Sequence, residues 1–336
     1  MLFSKRYIKK IVTMAVLSLL VSACQPVKTK PVMRWQQATY SAYAGDISAD
    51  GQFSVMSSQH HGVSFWDIKN NALKFTWSQQ QNNADNLVLH SKIANDNSTV
   101  VTANRTDFSL WSANTGKSLG FWRVSNSTIR DIAVSNQGRH LLIGKANGKV
   151  EHITLATGRR LEFLGHKEKV NTVDMLPNGR VAISGGNDFF AYVWDTKTGQ
   201  VIYRFNHPNR VIKVVLDPQG RFAFTADSHK NAYIWNLKTG KLISQLQFTQ
   251  RQQIFSAARF STDGKFLVTG SPSRFVNIWQ VTTGKRVTKW QVTRKEGTRP
   301  TGAVVYSVVF GDNSQGKHSV YTVSSSGYTE LWQVPQ

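Results

Sequence analysis

The stretch Val170–Phe205 reads VNTVDMLPNGRVAISGGNDFFAYVWDTKTGQVIYRF. It holds four short β-type runs separated by Asn178-Gly179, by a polar segment around Asp188, and by Thr198-Gly199. Runs of period two, broken by pairs whose glycines accept positive φ, build an antiparallel four-stranded meander. Trp194, in the third run, has counterparts along the whole chain. Trp66, Trp111, Ile153, Trp235, Trp279 and Trp332 occupy the same place, and successive anchors stand 45, 42, 41, 41, 44 and 53 residues apart.

A period just above forty residues with four strands per period predicts an all-β fold, a seven-bladed β-propeller with four-stranded blades. The strands are lettered a to d from the axis outward. Turns between a and b carry Asp50-Gly51, Gln137-Gly138, Asn178-Gly179, Gln219-Gly220 and Asp263-Gly264, while Thr-Gly pairs ending at Gly116, Gly158, Gly199, Gly240 and Gly284 join c to d. Eleven residues after each anchor stands a second large apolar residue: Trp77, Trp122, Leu164, Phe205, Leu246 and Trp290. Trp332 has no such partner before the last residue, and the missing outer strand is found at Pro31–Trp35. The N-terminal strand is therefore expected to close the ring, removing the unpaired edges that invite aggregation. The propeller takes residues 32–336.

The central unit closely resembles a WD-repeat, with Gly165-His166 upstream and Trp194-Asp195 at the end of strand c. The resemblance implies that His166, Ser184, Asp188 and Trp194 form a buried hydrogen-bonded tetrad that ties strands together. The same three polar groups could suggest a Ser-His-Asp hydrolase, yet no nucleophile elbow or oxyanion motif accompanies them. Six residues before the other anchors stand His60, Arg105, Asn147, His229, Ser273 and Ser326, so only the fourth blade is expected to hold a complete network. The resemblance places these b–c turn residues on one face of the disk.

Residues 1–23 read as a targeting segment: a basic start (Lys5, Arg6, Lys9, Lys10), then the apolar run Ile11–Ala23, which is shorter than the about 20 residues a spanning helix needs. Leu20-Val21-Ser22-Ala23-Cys24 resembles the lipobox of bacterial lipoprotein precursors, which implies acylation of Cys24, a tether over residues 24–31, and removal of the leader. Gln25 after the cysteine implies an outer-membrane address with the propeller facing the periplasm; the inner membrane is the alternative. Cys24 is the one cysteine, so no disulfide framework exists.

Setting aside the four basic leader residues leaves 37 Lys and Arg against 19 Asp and Glu, a balance of +18. Such an excess favours an acidic envelope protein, an anionic glycan or a lipid surface; for an exported lipoprotein, nucleic acid is not among the expected partners. Arg139, Arg180, Arg221, Lys265 and Lys317 each follow an a–b turn glycine, and Lys117, Arg159, Lys241 and Lys285 follow c–d turn glycines. These form either a basic ring on one face or ordinary solvated turns. The long connection VTRKEGTRPTGAVVY places Arg294, Lys295 and Arg299 on the opposite face, as a binding loop or a tolerated insertion.

Asp46, Asp131 and Asp174 fall on inner strands beside Lys213 and Arg259, so the channel lining should carry both signs. His60-His61 lacks the converging ligands a metal needs, and no Walker loop, dinucleotide fingerprint or HExxH is present. The expected protein is a non-catalytic binding platform with no cofactor and no metal, docking an envelope protein on one propeller face. The alternatives are an envelope hydrolase or lyase working through the channel carboxylates, and a direct binder of anionic glycan or lipid.

Overall fold

The computed structural model describes residues 30–58, 62–78, 87–250, 253–295, 302–311 and 319–334. Seven four-stranded antiparallel sheets are arranged as a β-propeller. Blades 1 to 6 span residues 42–77, 90–123, 129–163, 170–206, 211–245 and 257–291. Blade 7 takes its strands a to c from residues 305–333 and its outer strand from Met33–Gln36, paired antiparallel to Tyr328–Gln333 with Met33 opposite Leu331. The ring closes as the residue pattern requires.

Burial grades outward through each blade. Strand b of blade 5, Phe222–Asp227, is buried at every position but its first, because neighbouring blades cover both of its faces. Strand d of blade 4, Val201–Asn206, buries only Phe205 fully. This is why b strands read as continuous runs of small and branched residues, and d strands as alternating ones. The turn glycines adopt the left-handed conformation expected of them, Gly179 at φ 74° and Gly284 at φ 66°. At Gly284 a side chain would also run into the Gln245 carbonyl of the preceding blade.

Blades adhere through an aromatic from strand d lying on the anchor of the next blade. Trp77 stacks on Trp111 with centroids 5.3 Å apart, Phe205 on Trp235 at 4.1 Å, and Trp290 meets Trp332 at 6.1 Å. Trp122 with Ile153, and Leu246 with Trp279, share the corresponding clusters. Each aromatic pair contributes about 0.5–1.5 kcal/mol beyond its buried area.

The third blade corrects the eleven-residue rule. Leu164 is 67% exposed, and Phe163 takes the inner position against Trp194. In five blades the c–d hairpin shifts register immediately before the tryptophan, as between Val193 and Trp194 or Ile278 and Trp279. Blade 3, whose anchor is Ile153, pairs in plain register with Ile153 opposite Arg160. Without the bulge one residue fewer is needed to reach the same side, so the partner comes ten residues after the anchor.

Candidate docking faces and central channel

In blade 4 the His166 ring lies between strands. Its Nδ1 is 3.0 and 3.1 Å from the two Asp188 oxygens, and its Nε2 is 2.9 Å from Ser184 Oγ. Burial works to raise the Asp188 carboxyl, but hydrogen bonds from His166 and from the Lys167 and Phe190 amides outweigh it and hold the group below its ordinary range. Trp194 stands beside this network without joining it: its indole N–H is buried and has no partner. The same indole nitrogen donates to a threonine hydroxyl in four other blades, Trp111 to Thr102, Trp235 to Thr225, Trp279 to Thr269 and Trp332 to Thr322. The arrangement joins the end of one blade to two strands of the next and offers no open position for a substrate.

Blade 5 carries a comparable network that the turn positions do not disclose. His207 Nε2 is 2.8 Å from Thr225 Oγ1, whereas its Nδ1 faces an oxygen of Asp227, at the end of strand b, from 3.9 Å, too far for a hydrogen bond, so the network is looser than that of blade 4. Asp227, not His229 in the turn, is therefore the carboxylate of this blade. Burial opposes its ionisation, but His207, Asn231 and two backbone amides hold it well below the usual carboxylate range. The signal in the sequence was the Asp227-x-x-x-Asn231 pair, offset by two residues from the place of Asp188.

The channel carboxylates are committed to closing the ring. Asp46 accepts the Ile93 amide of blade 2 at 2.9 Å and the Ser307 hydroxyl of blade 7 at 2.7 Å. Asp131 accepts the amides of Ile132 and, in blade 4, Val173, each at 3.0 Å. Asp174 accepts the amides of Met175 and, in blade 5, Leu216, at 2.9 and 2.8 Å. Each oxygen thus holds one donor; Asp131 and Asp174 each bridge two blades and Asp46 bridges three. Lys92, Lys213 and Arg259 share the lining, so the channel carries both signs. Among the described residues no group of three or more His, Cys, Asp or Glu is placed to hold a metal.

Strand alternation puts a–b and c–d turns on one face and b–c turns and d–a connections on the other. The first face holds Arg139, Arg180, Arg221 and Lys265 as expected, but they do not form a uniform ring. Arg221 is clamped by Asp217 at 2.6 Å and by the Thr262 carbonyl of the next blade at 3.0 Å. Arg159 is spent on the Lys197 carbonyl at 2.7 Å, Arg139 on Gln137 at 2.6 Å, and Lys265 lies 3.6 Å from Asp263. Asp50, Asp96 and Asp195 interleave with Arg180, Lys117, Lys241 and Lys285, which are exposed. Lys317 lies outside the described residues, as do Cys24 and the leader, His60-His61 and Arg299.

The opposite face is different. Arg105, Lys149, Lys167, Lys169 and Arg210 lie in its loops, with Lys230, Arg274, Arg294 and Lys295 further round. Among the described residues of those loops the acids are Glu168 and Asp188, and Asp188 is buried beneath His166. Lys295 donates to the Thr39 carbonyl and stands over the Tyr40 ring, which docks the long connection onto the next one. The same face exposes Tyr40, Leu87, Leu164, Phe189 and Ile254, whereas no large apolar side chain is exposed in a described a–b or c–d turn. Phe189 is 46% exposed at φ 72°, a left-handed conformation that costs a non-glycine residue roughly 1 kcal/mol or more. The overall charge of the chain foretold a basic surface; its placement depends on which turns share a face.

The WD domain, G-beta repeat family matches residues 158–195 and 240–280. Each match begins where strand d of one blade starts and ends with strand c of the next, so the sequence repeat is offset from the blade by one strand. The chain is also similar to the WD repeat-containing protein SL1-17 of Schistosoma mansoni, 26% identical over 159 residues, or 47% of this chain and 51% of that protein. It spans about half the length of this relative. With seven antiparallel four-stranded sheets the chain is a seven-bladed β-propeller, and two of its segments match the WD40 repeat.

Proposed function

We propose that this protein is a non-catalytic docking platform of the bacterial cell envelope, and that it binds an acidic protein partner on the face of its b–c turns and d–a connections. The carrying observation is the asymmetry of the two faces: one concentrates cations with few acids and also exposes aromatic and aliphatic side chains. Aromatic and arginine groups are the usual anchors of protein interfaces, and lysines steer an acidic partner toward them. WD40 propellers are typically protein-interaction scaffolds. A hydrolase or lyase reading finds no support in the channel, where every oxygen of Asp46, Asp131 and Asp174 already holds a donor.

The envelope address rests on the sequence at Cys24 and its flanks. On that reading the anchor's position follows from the strand pairing: the chain enters the outer strand of blade 7 at the end carrying the c–d turns, since Met33 pairs with Leu331 and Gln36 with Tyr328. An acyl anchor at Cys24 would then attach to the interleaved face and leave the basic, apolar face free.

The test is cross-linking in intact cells with C-terminally tagged full-length protein, followed by identification of what is captured. Lys167→Glu with Arg210→Glu and Lys230→Glu is expected to lower capture of a stoichiometric envelope protein at least tenfold. Equal capture by the charge-reversed variant overturns the assignment of the face. Recovery of glycan or lipid alone overturns the protein partner.

A further inference from the structure

The central channel contains groups that the closure of the ring does not use. It narrows to a cavity of about 110 Å³ whose wall includes Lys92, Lys213 and Arg259. Among the described residues neither lysine ammonium forms a hydrogen bond or an ion pair within 4 Å, although cations drawn partly out of bulk water are ordinarily paired. Asp46 and Asp174 line the same space and Asp131 lies within electrostatic reach, yet each of their oxygens already holds a backbone or hydroxyl donor of its own or a neighbouring blade. Burial disfavours the Lys92 charge, but Asp46, Asp131 and Asp174 together hold its basicity above normal. Lys213 goes the other way, pushed down by burial and by the Lys92 charge. Two cations with unused donors therefore face one small space.

We propose that this cavity is a binding site for a small oxyanion of phosphate size, held by Lys92, Lys213 and Arg259. The convergence sets the class: three cationic side chains around a space of about 110 Å³ suit a compact oxyanion that can accept from all of them at once. Arg259 stands at the throat. It lines the cavity and also a wider vestibule of about 520 Å³ at the a–b turn mouth, and its Nη2 donates across the channel to Asn95 at 2.9 Å. Among the described residues the remaining guanidinium donors have no other partner, and they can meet an anion arriving from the vestibule. The vestibule acids are occupied, Asp50 by Ser48 and Asn97, Asp263 by Ser261 and the Lys265 amide. A bound anion would join blades 2, 5 and 6, which share no sheet.

The probe is inorganic phosphate against chloride at matched ionic strength, using the full-length chain. A site of about 0.1 mM affinity saturates at 10 mM and should raise the melting temperature by about 3 °C or more. Lys213→Met and Lys92→Met are expected to abolish the rise, and Lys265→Met on an exposed turn to keep it. Equal melting in phosphate and chloride overturns the site, as does a Lys213→Met protein that retains the full rise. Should the variants fail to fold, acetylation of the wild-type chain by acetic anhydride decides the matter. Phosphate should slow modification of Lys213 at least fivefold while leaving Lys265 unchanged, and equal rates at Lys213 refute the proposal.

Discussion

Phe163 lies flat on Trp194, with ring centroids 4.6 Å apart and planes 3° from parallel. This contact joins blade 3 to blade 4, and the side chain next to it, Leu164, points into solvent. Phe163→Ala should cost about 3–5 kcal/mol, the range for emptying a large buried aromatic site. Leu164→Ala should stay within about 0.5 kcal/mol of the parent. Denaturant titration of both variants checks the assignment, and comparable losses would mean the register of strand d is wrong.

The orphan indole of Trp194 has a simple origin. Thr225 meets His207 and Trp235 with one hydroxyl, whereas Ser184 reaches His166 alone. A β-branched side chain has fewer χ1 rotamers, which aims a threonine hydroxyl where a serine hydroxyl is free to turn away. Ser184→Thr should therefore pair the Trp194 N–H and add about 1 kcal/mol. The indole proton resonance should move downfield with the gain. A less stable variant with an unmoved resonance would show that the added methyl does not fit.

The two histidine networks should respond alike to loss of the carboxylate. Asp188→Asn and Asp227→Asn each leave a buried imidazole facing an amide, at a cost of about 1–3 kcal/mol. Thermal melting of the two variants tests whether Asp227 does in blade 5 what Asp188 does in blade 4. A silent Asp227→Asn substitution would remove that equivalence.

Ring closure depends on one seam made from both ends of the chain. Removing residues 332–336 deletes Trp332, which is 2% exposed and packs against Trp290, and should cause cooperative loss of folding. The joint from blade 7 to blade 1 also holds a cleft. Among the described residues Trp66 makes no ring contact and its indole N–H has no partner, and it lines this cleft of about 490 Å³ with Gln37 and Leu73. Hydrogen exchange should accordingly be faster at this joint than at the stacked joints Trp77–Trp111 and Phe205–Trp235. A truncated protein that melts unchanged would refute closure by the N-terminal strand.

Acid should destabilise the protein through blade 3. His152 is 1% exposed, stacks on His140 with centroids 5.1 Å apart, and has no partner on either ring nitrogen. Burial, then the His140 and Arg159 charges, pushes it down from 6.5 to about 4. The unfolded chain therefore takes up this proton first. The stabilisation is complete above about pH 6.5 and is lost as the pH falls toward 4, by about 2 kcal/mol at pH 5. Melting temperature should drop between pH 7 and pH 5, and His152→Gln should flatten that slope, with His140 and His90 supplying the remainder because burial lowers both. An unchanged slope would place the acid sensitivity elsewhere.

The residues alone determined the blade count, the phase of the strands and the closing strand. These follow from local rules: alternation decides which side of a strand is buried, and Gly-containing pairs decide where the chain reverses. Contacts between repeats obey no local rule. Whether Phe163 or Leu164 faces Trp194 depends on a bulge opposite a different residue type. That His207 turns to Asp227 depends on side-chain geometry across strands, and Asp46 finds Ser307 at a separation of 261 residues. The faces show the same division. Basic residues after turn glycines were visible in order, but only the tertiary structure gave several of them acceptors and aspartate neighbours and gathered exposed apolar groups, with few acids, on the other side. The reason is physical: a strand's burial pattern is written along its own length, whereas charge partners and exposed surface are set by what the closed ring brings together.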